Sequence, residues 1–234
     1  MSDTIHSTPV TDIKSLRIQT MIKLIAAFLL LAAMFFLPAG SFAYWQAWIF
    51  IGILIIPASC VMVYLLRHDP ELLARRTQMK EKEQERKTII KAGLILFFVT
   101  YLIPGFDYRY GWSVVPVVLV IIGDILILLG YGLFVLVLRE NRYASRTVEV
   151  VEDQKVISTG PYAMVRHPMY SAIFLIYGFT PIALGSYWAF PGTVLLLVII
   201  VARIFNEEKV LARDLKGYSE YLQRVKYRII PRVW

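Results

Sequence analysis

Long apolar runs decide what this chain can become. They cover Ile22 to Leu37, Tyr44 to Leu66, Ile89 to Ile103, Val114 to Leu138 and Thr193 to Ala202. A helix needs roughly 20 largely apolar residues to cross about 30 Å of hydrocarbon, because its backbone must satisfy its own hydrogen bonds there. The composition agrees: 58% of the 234 residues are hydrophobic and 18% are charged. A soluble domain holds only about half apolar residues, so the excess belongs on lipid-facing surface. The fold class expected is all-α, a polytopic membrane helical bundle.

Six spans are expected, near residues 18–38, 45–66, 89–106, 112–138, 168–186 and 190–206. Two of the connecting turns, "LPAGSFAYW" and "GSYWAFPG", carry no charge and hold Tyr and Trp, as interfacial belts do. The fourth run exceeds a perpendicular crossing, which predicts tilt or extension past the headgroups. The first 16 residues are polar and the run after them is long, so the first run is expected to stay as a span. The one cysteine, Cys60, has no partner for an internal disulfide and says nothing of redox compartment.

Lysine and arginine set the orientation. With the N-terminus in the cytosol, 24 of the 25 fall on the cytosolic side and only Arg109 falls outside. Both termini are therefore expected in the cytosol. The net charge of +8 reads as a topology signal that also attracts anionic lipid headgroups. No separate basic domain offers a nucleic-acid surface. Residues 67–88, "RHDPELLARRTQMKEKEQERKT", read as a solvated cytosolic connector in which Asp69 can cap a short helix opened by Pro70. The chain divides into a four-span region, 1–138, and a C-terminal region, 139–234, with a helical hairpin and a cytosolic tail.

Three polar clusters stand out in that C-terminal region. In "TGPYAMVRHPMY", Pro168 suits the first turn of a helix, which puts His167 at the N-cap and Arg166 just before it. The free N–H groups and positive dipole end of such a turn attract carboxylates and phosphates. Tyr170 shares that face. The same residues also suit plain interfacial anchoring. In "VARIFNEEKVLARDL", Arg203 and Glu207 lie four apart on one side of the last span, while Glu208 points about 100° away. That spacing also fits a simple ion pair. The third cluster, "YSEYLQRVKYRIIPRVW", alternates aromatic with basic residues and suits a membrane-surface tail. Asp124, inside the fourth span, is costly there; it either bonds a neighbouring helix or lines an acceptor pathway.

Taken together, "VISTGPYAMVRHPMY", a hairpin, and "RIFNEEKVLARDLKGYSEYLQRVKYRIIP" resemble the isoprenylcysteine carboxyl methyltransferase family. That family lies in a wider group with phospholipid N-methyltransferases and many bacterial integral-membrane methyltransferases. The resemblance covers about residues 139–234; the first four spans match in kind only. It implies an S-adenosylmethionine-dependent methyltransferase of a bacterial inner membrane, with a cytosol-facing cofactor pocket built from the C-terminal half. Gln154, Lys155, Val156, Ile157, Tyr162, His167, Pro168, Met169 and Tyr170 would then contact the cofactor. Glu207 would pair with its ammonium group and Arg203 would orient the methyl acceptor. No metal is implied. The acceptor would be lipophilic or a small thiol, carboxylate or amine, reached from the bilayer lipids, and nothing fixes the oligomeric state.

The C-terminus is short relative to eukaryotic members, which leaves a prenylcysteine acceptor open. A carboxylate acceptor needs no base, whereas a thiol or amine does, with Glu207, Glu208 or His167 as candidates. Neither a P-loop nor a GxGxxG motif is present, against a soluble Rossmann-type cofactor domain. Two rivals remain: a sterol-reductase-like NADPH enzyme of related architecture, and a non-enzymatic lipid-binding scaffold or transporter. A transporter would show paired interrupted helices in two halves, and no such pattern is visible.

Overall fold

A computed structural model describes residues 13–68, 73, 84–141 and 154–234, with the side chains of 13, 14 and 84–92 left out of the description. The proposed cap at Asp69, most of the connector and residues 142–153 lie outside the described residues. Every regular element among the described residues is helical: α1 Ile13–Ala39, α2 Trp45–His68, α3 Gln84–Tyr110, α4 Val117–Glu140, α5 Pro168–Ala183, α6 Phe190–Asp214 and the short α7 Tyr218–Arg224. Single 3₁₀ turns at Gly160–Ala163 and Tyr187–Ala189 precede α5 and α6.

The all-helical membrane fold is as expected; the count of six spans is approximate. Among the described residues, four helices are long and apolar enough to cross a bilayer: Ser15–Ala39, Trp45–His68, Val117–Glu140 and Tyr187–Asp214. Helix α5 is apolar but has 16 residues, roughly 24 Å at 1.5 Å each. Helix α3 has 27 residues but opens on the polar sequence Gln-Glu-Arg-Lys, which dilutes its apolar run. Prolines sit inside α1, α2, α3 and α5. Such breaks are tolerated in membrane helices when nearby hydroxyls take up backbone groups. Thr100 and Thr180 also donate their hydroxyls to the carbonyls four residues back, Leu96 and Ile176, at 2.7 and 2.8 Å.

The core joins α1, α2, α3 and α4 through Phe35, Phe50, Tyr101 and Ile127, all nearly solvent-free. Phe35 meets Phe50 edge-on at 5.8 Å, a geometry that aromatic quadrupoles favour. Helices α4 and α5 approach closely because two α4 glycines leave room. A Cβ at Gly123 would stand 3.0 Å from the Ala183 nitrogen, and one at Gly130 would press on Ile176 and Leu175. Beside Gly123, the Asp124 side chain is buried and its Oδ1 has no hydrogen-bond partner among the described residues. The neighbour-helix bond considered for that oxygen is therefore not made.

Three turns gather at one end of the bundle. Tyr44 Oη donates to the Leu184 carbonyl at 2.5 Å and its ring stacks on Tyr108 at 4.5 Å. Asp107, which is 1% exposed, fastens the arrangement. Its Oδ1 accepts from the Ser113 N–H at 2.7 Å, and its Oδ2 accepts from the Ser113 and Ser186 hydroxyls at 2.7 and 2.5 Å. Arg109 lies over Gly40, whose φ of +62° lets the chain turn out of α1. A cavity of about 200 Å³ opens here between Tyr44, Gln46, Asp107 and Gly185. The opposite end collects the ends of α2, α4 and α6 and the start of α5, as an up-and-down order of helices requires.

Replacing Asp107 with Ala would leave three donors unpaired, the fully buried Ser186 hydroxyl among them, at about 1–3 kcal/mol for a buried donor before relaxation. We expect a destabilisation of roughly 3 kcal/mol, read as a lowered melting temperature in detergent. Unchanged melting would show that the staple has no such role.

Candidate active site

Helix α5 starts where the proline dictates, at Pro168, with His167 as its N-cap. The His167 carbonyl accepts the N–H groups of Tyr170 and Ser171 at 3.0 and 3.1 Å. The imidazole does not cap the helix. It is 5% exposed and turns toward α6, where Nε2 stands 3.3 Å from Glu208 Oε1.

The C-terminal segment folds back over this helix start. Its Tyr227 and Arg228 carbonyls accept the N–H groups of Arg166 and His167, both at 2.8 Å. The Ile229 carbonyl accepts the Ser171 hydroxyl at 2.6 Å. A turn then brings Trp234 back, so that its carbonyl receives the N–H of Ile229 at 2.9 Å. Of the basic and aromatic residues expected on a membrane surface, Arg228, Tyr221 and Trp234 have internal partners, while Arg224, Lys226 and Arg232 stay exposed. Arg228 Nε donates to Glu208 Oε2 at 3.0 Å, and its guanidinium lies 5.0 Å above the Phe205 ring and 5.4 Å from that of Trp234.

Glu208 corrects the helical-wheel reading. The 100° separating it from Glu207 does not carry it away from the site but onto Arg166, whose Nε stands 3.0 Å from Oε1, and onto His167 and Arg228. Its side chain is 12% exposed, so these charges interact with little water between them. Glu207 is used differently. Tyr170 Oη donates to Glu207 Oε2 at 2.7 Å and accepts from Arg203 Nε at 3.0 Å. The phenol thus joins the two residues that the i,i+4 spacing had paired.

Residues 154–157 reach the site through the short helix α7. Val156 packs on a cluster of Leu215, Tyr218, Tyr221 and Val225, while Lys155 is exposed and Gln154 and Ile157 are half-buried. Tyr162 is held from two sides: its Oη accepts from Asn141 Nδ2 at 2.9 Å, and its carbonyl accepts the Tyr221 hydroxyl at 2.8 Å. Thr159 donates to Glu140, tying the segment to the end of α4. Pro168 is buried and Met169 is half-buried at the same helix start. Burial, then the charges of Glu208 and Glu207, push the Tyr218 hydroxyl above its ordinary value, so it remains a proton donor.

The structure thus brings two polar clusters side by side, His167 on Glu208 and Tyr170 with Arg203 and Glu207, the His167 and Tyr170 rings 5.7 Å apart, with Gln154 to Ile157 and Tyr162 one layer away. Sequence reasoning missed Arg228 and Tyr218 and misplaced Glu208. The paired glutamates and the aromatic-basic alternation were the available signals. Among the described residues no group of three His, Cys, Asp or Glu could hold a metal ion. The cavity beside Asp107 lies at the other end of the bundle and belongs to the turns there.

Residues 118–216 match the family model of phospholipid methyltransferase. The matched stretch takes in α4 with Asp124, the Arg-His-Pro start of α5 and both glutamates of α6, and it stops before α7 and the tail. It begins one helix earlier than the motif resemblance. No curated protein matches the chain significantly. Among solved structures, the chain is similar to the eukaryotic intramembrane Ras methyltransferase ICMT (isoprenylcysteine carboxyl methyltransferase). Identity is 17%, the alignment covers 96% of this chain and 88% of that one, and the TM-score is 0.47.

Proposed function

We propose that the chain is an integral-membrane methyltransferase that uses S-adenosylmethionine at the end of the bundle where α5 begins and α6 leaves the apolar layer. The observation that carries this reading is the convergence of His167, Tyr170, Arg203, Glu207 and Glu208 within a stretch matching phospholipid methyltransferases. The positive-inside count places that end, with both termini, on the cytosolic side.

The residues fit such a donor. Its amino-acid end is zwitterionic and needs both a carboxylate and cationic donors, and the site offers Glu207 and Glu208 against Arg166, Arg203 and Arg228. Bound there, S-adenosylmethionine would supply a methyl carbon made electrophilic by the adjacent sulfonium. Glu207 would receive the ammonium group, with Tyr170 fixing its rotamer from one oxygen. Arg203, anchored on the same phenol, would orient an anionic or polar acceptor arriving from the lipid. Positioning of this kind can account for much of the rate.

Where the acceptor is a thiol or amine, a base is required. Two guanidiniums and an imidazole already occupy both oxygens of Glu208. Glu207 has one oxygen on the Tyr170 hydroxyl, and it, Glu208 and His167 are the candidate bases. Gln154 to Ile157, Tyr162, Pro168 and Met169 would wall the rest of the donor. The acceptor is a lipophilic or small thiol, carboxylate or amine.

The test is incubation of the purified protein with methyl-labelled S-adenosylmethionine and a panel of phospholipids, prenylated thiols and small thiols. Label entering one class supports the reading; a folded protein that transfers to none and binds no donor overturns it. His167→Ala should weaken donor binding by about tenfold or more, on the order of 1.4 kcal/mol. The reason is that the imidazole separates the helix start from Glu208 and is nearly fully buried. Unchanged affinity would exclude a role for it.

A further inference from the structure

Two buried hydrogen-bond donors beside Glu208 have nothing to donate to. The Tyr218 hydroxyl sits on a side chain only 4% exposed and makes no hydrogen bond among the described residues. The Arg166 side chain is 9% exposed, and its Nε stands 3.0 Å from Glu208 Oε1 as an ion pair while its N–H points at no acceptor. Leaving a buried donor unpaired costs about 1–3 kcal/mol, so two at one place ask for a reason.

Three of the four carboxylate oxygens nearby are already engaged. Glu208 presents both oxygens to His167 and Arg228, and Glu207 Oε2 takes the Tyr170 hydroxyl. What is missing is an acceptor, and the balance of charge says of which kind. One of the two donors, Arg166, is itself cationic and only 9% exposed at its side chain. A neutral acceptor such as a ring nitrogen would take the hydrogen bonds but bring no charge to meet that cation. An oxyanion satisfies both, through charge-assisted hydrogen bonds.

The geometry points to Tyr218 Oη–H and Arg166 Nε–H as the receptor for the carboxylate of the methyl donor's amino-acid end. This rests on the methyl-donor reading and extends it to a residue of α7, outside the stretch that matches the family model. Tyr218 is then a binding residue, and it links the donor to α7 and to Val156, which packs on the same cluster.

The test uses the full-length protein and two probes in calorimetry: S-adenosylhomocysteine and its decarboxylated analogue, which keeps the amine and the nucleoside. Wild-type protein should bind the first at least tenfold more tightly. Tyr218→Phe, which keeps the ring packing, should lower the affinity for S-adenosylhomocysteine about tenfold and leave the analogue unchanged. Equal losses for the two probes would mean a structural role and overturn the proposal, as would wild-type protein that binds both alike. Unchanged S-adenosylhomocysteine affinity with a raised KM for the methyl acceptor would assign the oxyanion to the acceptor instead, and overturn it too. Folded wild-type protein that binds neither probe would remove the methyl-donor reading itself.

Discussion

Glu208→Ala is expected to unfold the end of the bundle that carries the site, not merely to slow a reaction. The substitution leaves Arg166 and His167, both nearly buried, and Arg228 facing one another with no counter-charge. Removing one partner of a buried ion pair costs about 3–5 kcal/mol, because the remaining charge stays desolvated. The loss should appear as a lower melting temperature together with abolished donor binding. Glu208→Gln keeps the shape but not the charge and should fall between the two states. Glu207→Gln is expected to behave differently. It removes a charge whose protein partner is a phenol, so melting should change little while donor affinity drops. If both single variants melt like the wild type, Glu208 is not the organiser that its three partners indicate.

The second large effect is expected from the tail. Ending the chain after Val225 deletes three hydrogen bonds onto the start of α5, from Arg166, His167 and Ser171, and with them the Arg228 guanidinium. At about 1 kcal/mol each, the three bonds alone are worth roughly 3 kcal/mol of local order. Donor affinity should fall by on the order of 100-fold if that order is required for binding. Amide exchange at residues 166 and 167 should speed up to match, since their N–H groups lose their acceptors. Arg228→Ala keeps the backbone bonds and should give a smaller loss. Full donor affinity in the shortened chain would show that the tail merely lies over the site.

Much of the architecture was legible because membrane helices announce themselves by length and apolarity, and because a proline fixes where a helix begins. Pro168 placed His167 at the N-cap without any tertiary information. The four-residue spacing of Arg203 and Glu207 placed both on one side of α6, and the structure links them through Tyr170. Glu208 was misjudged for a physical reason: a helical wheel gives the angle between two side chains, not the neighbour that each one meets. The arrival of Arg228 depends on where a tail folds back, which local sequence does not encode. Asp107 was hidden similarly, since its value lies in reaching Ser186 across 79 residues of chain while holding Ser113 on the same carboxylate. Asp124 is buried beside the α4–α5 glycine seam, its Oδ1 without a hydrogen-bond partner among the described residues.

The central claim is that the start of α5 and the exit of α6 together hold one S-adenosylmethionine. Equilibrium dialysis of the purified protein against radiolabelled S-adenosylmethionine tests it most directly. The account predicts one saturable site per chain, emptied by S-adenosylhomocysteine, untouched by NADPH and lost in Glu207→Gln protein that still melts normally. Folded protein that retains no label, or label displaced by NADPH, would contradict it.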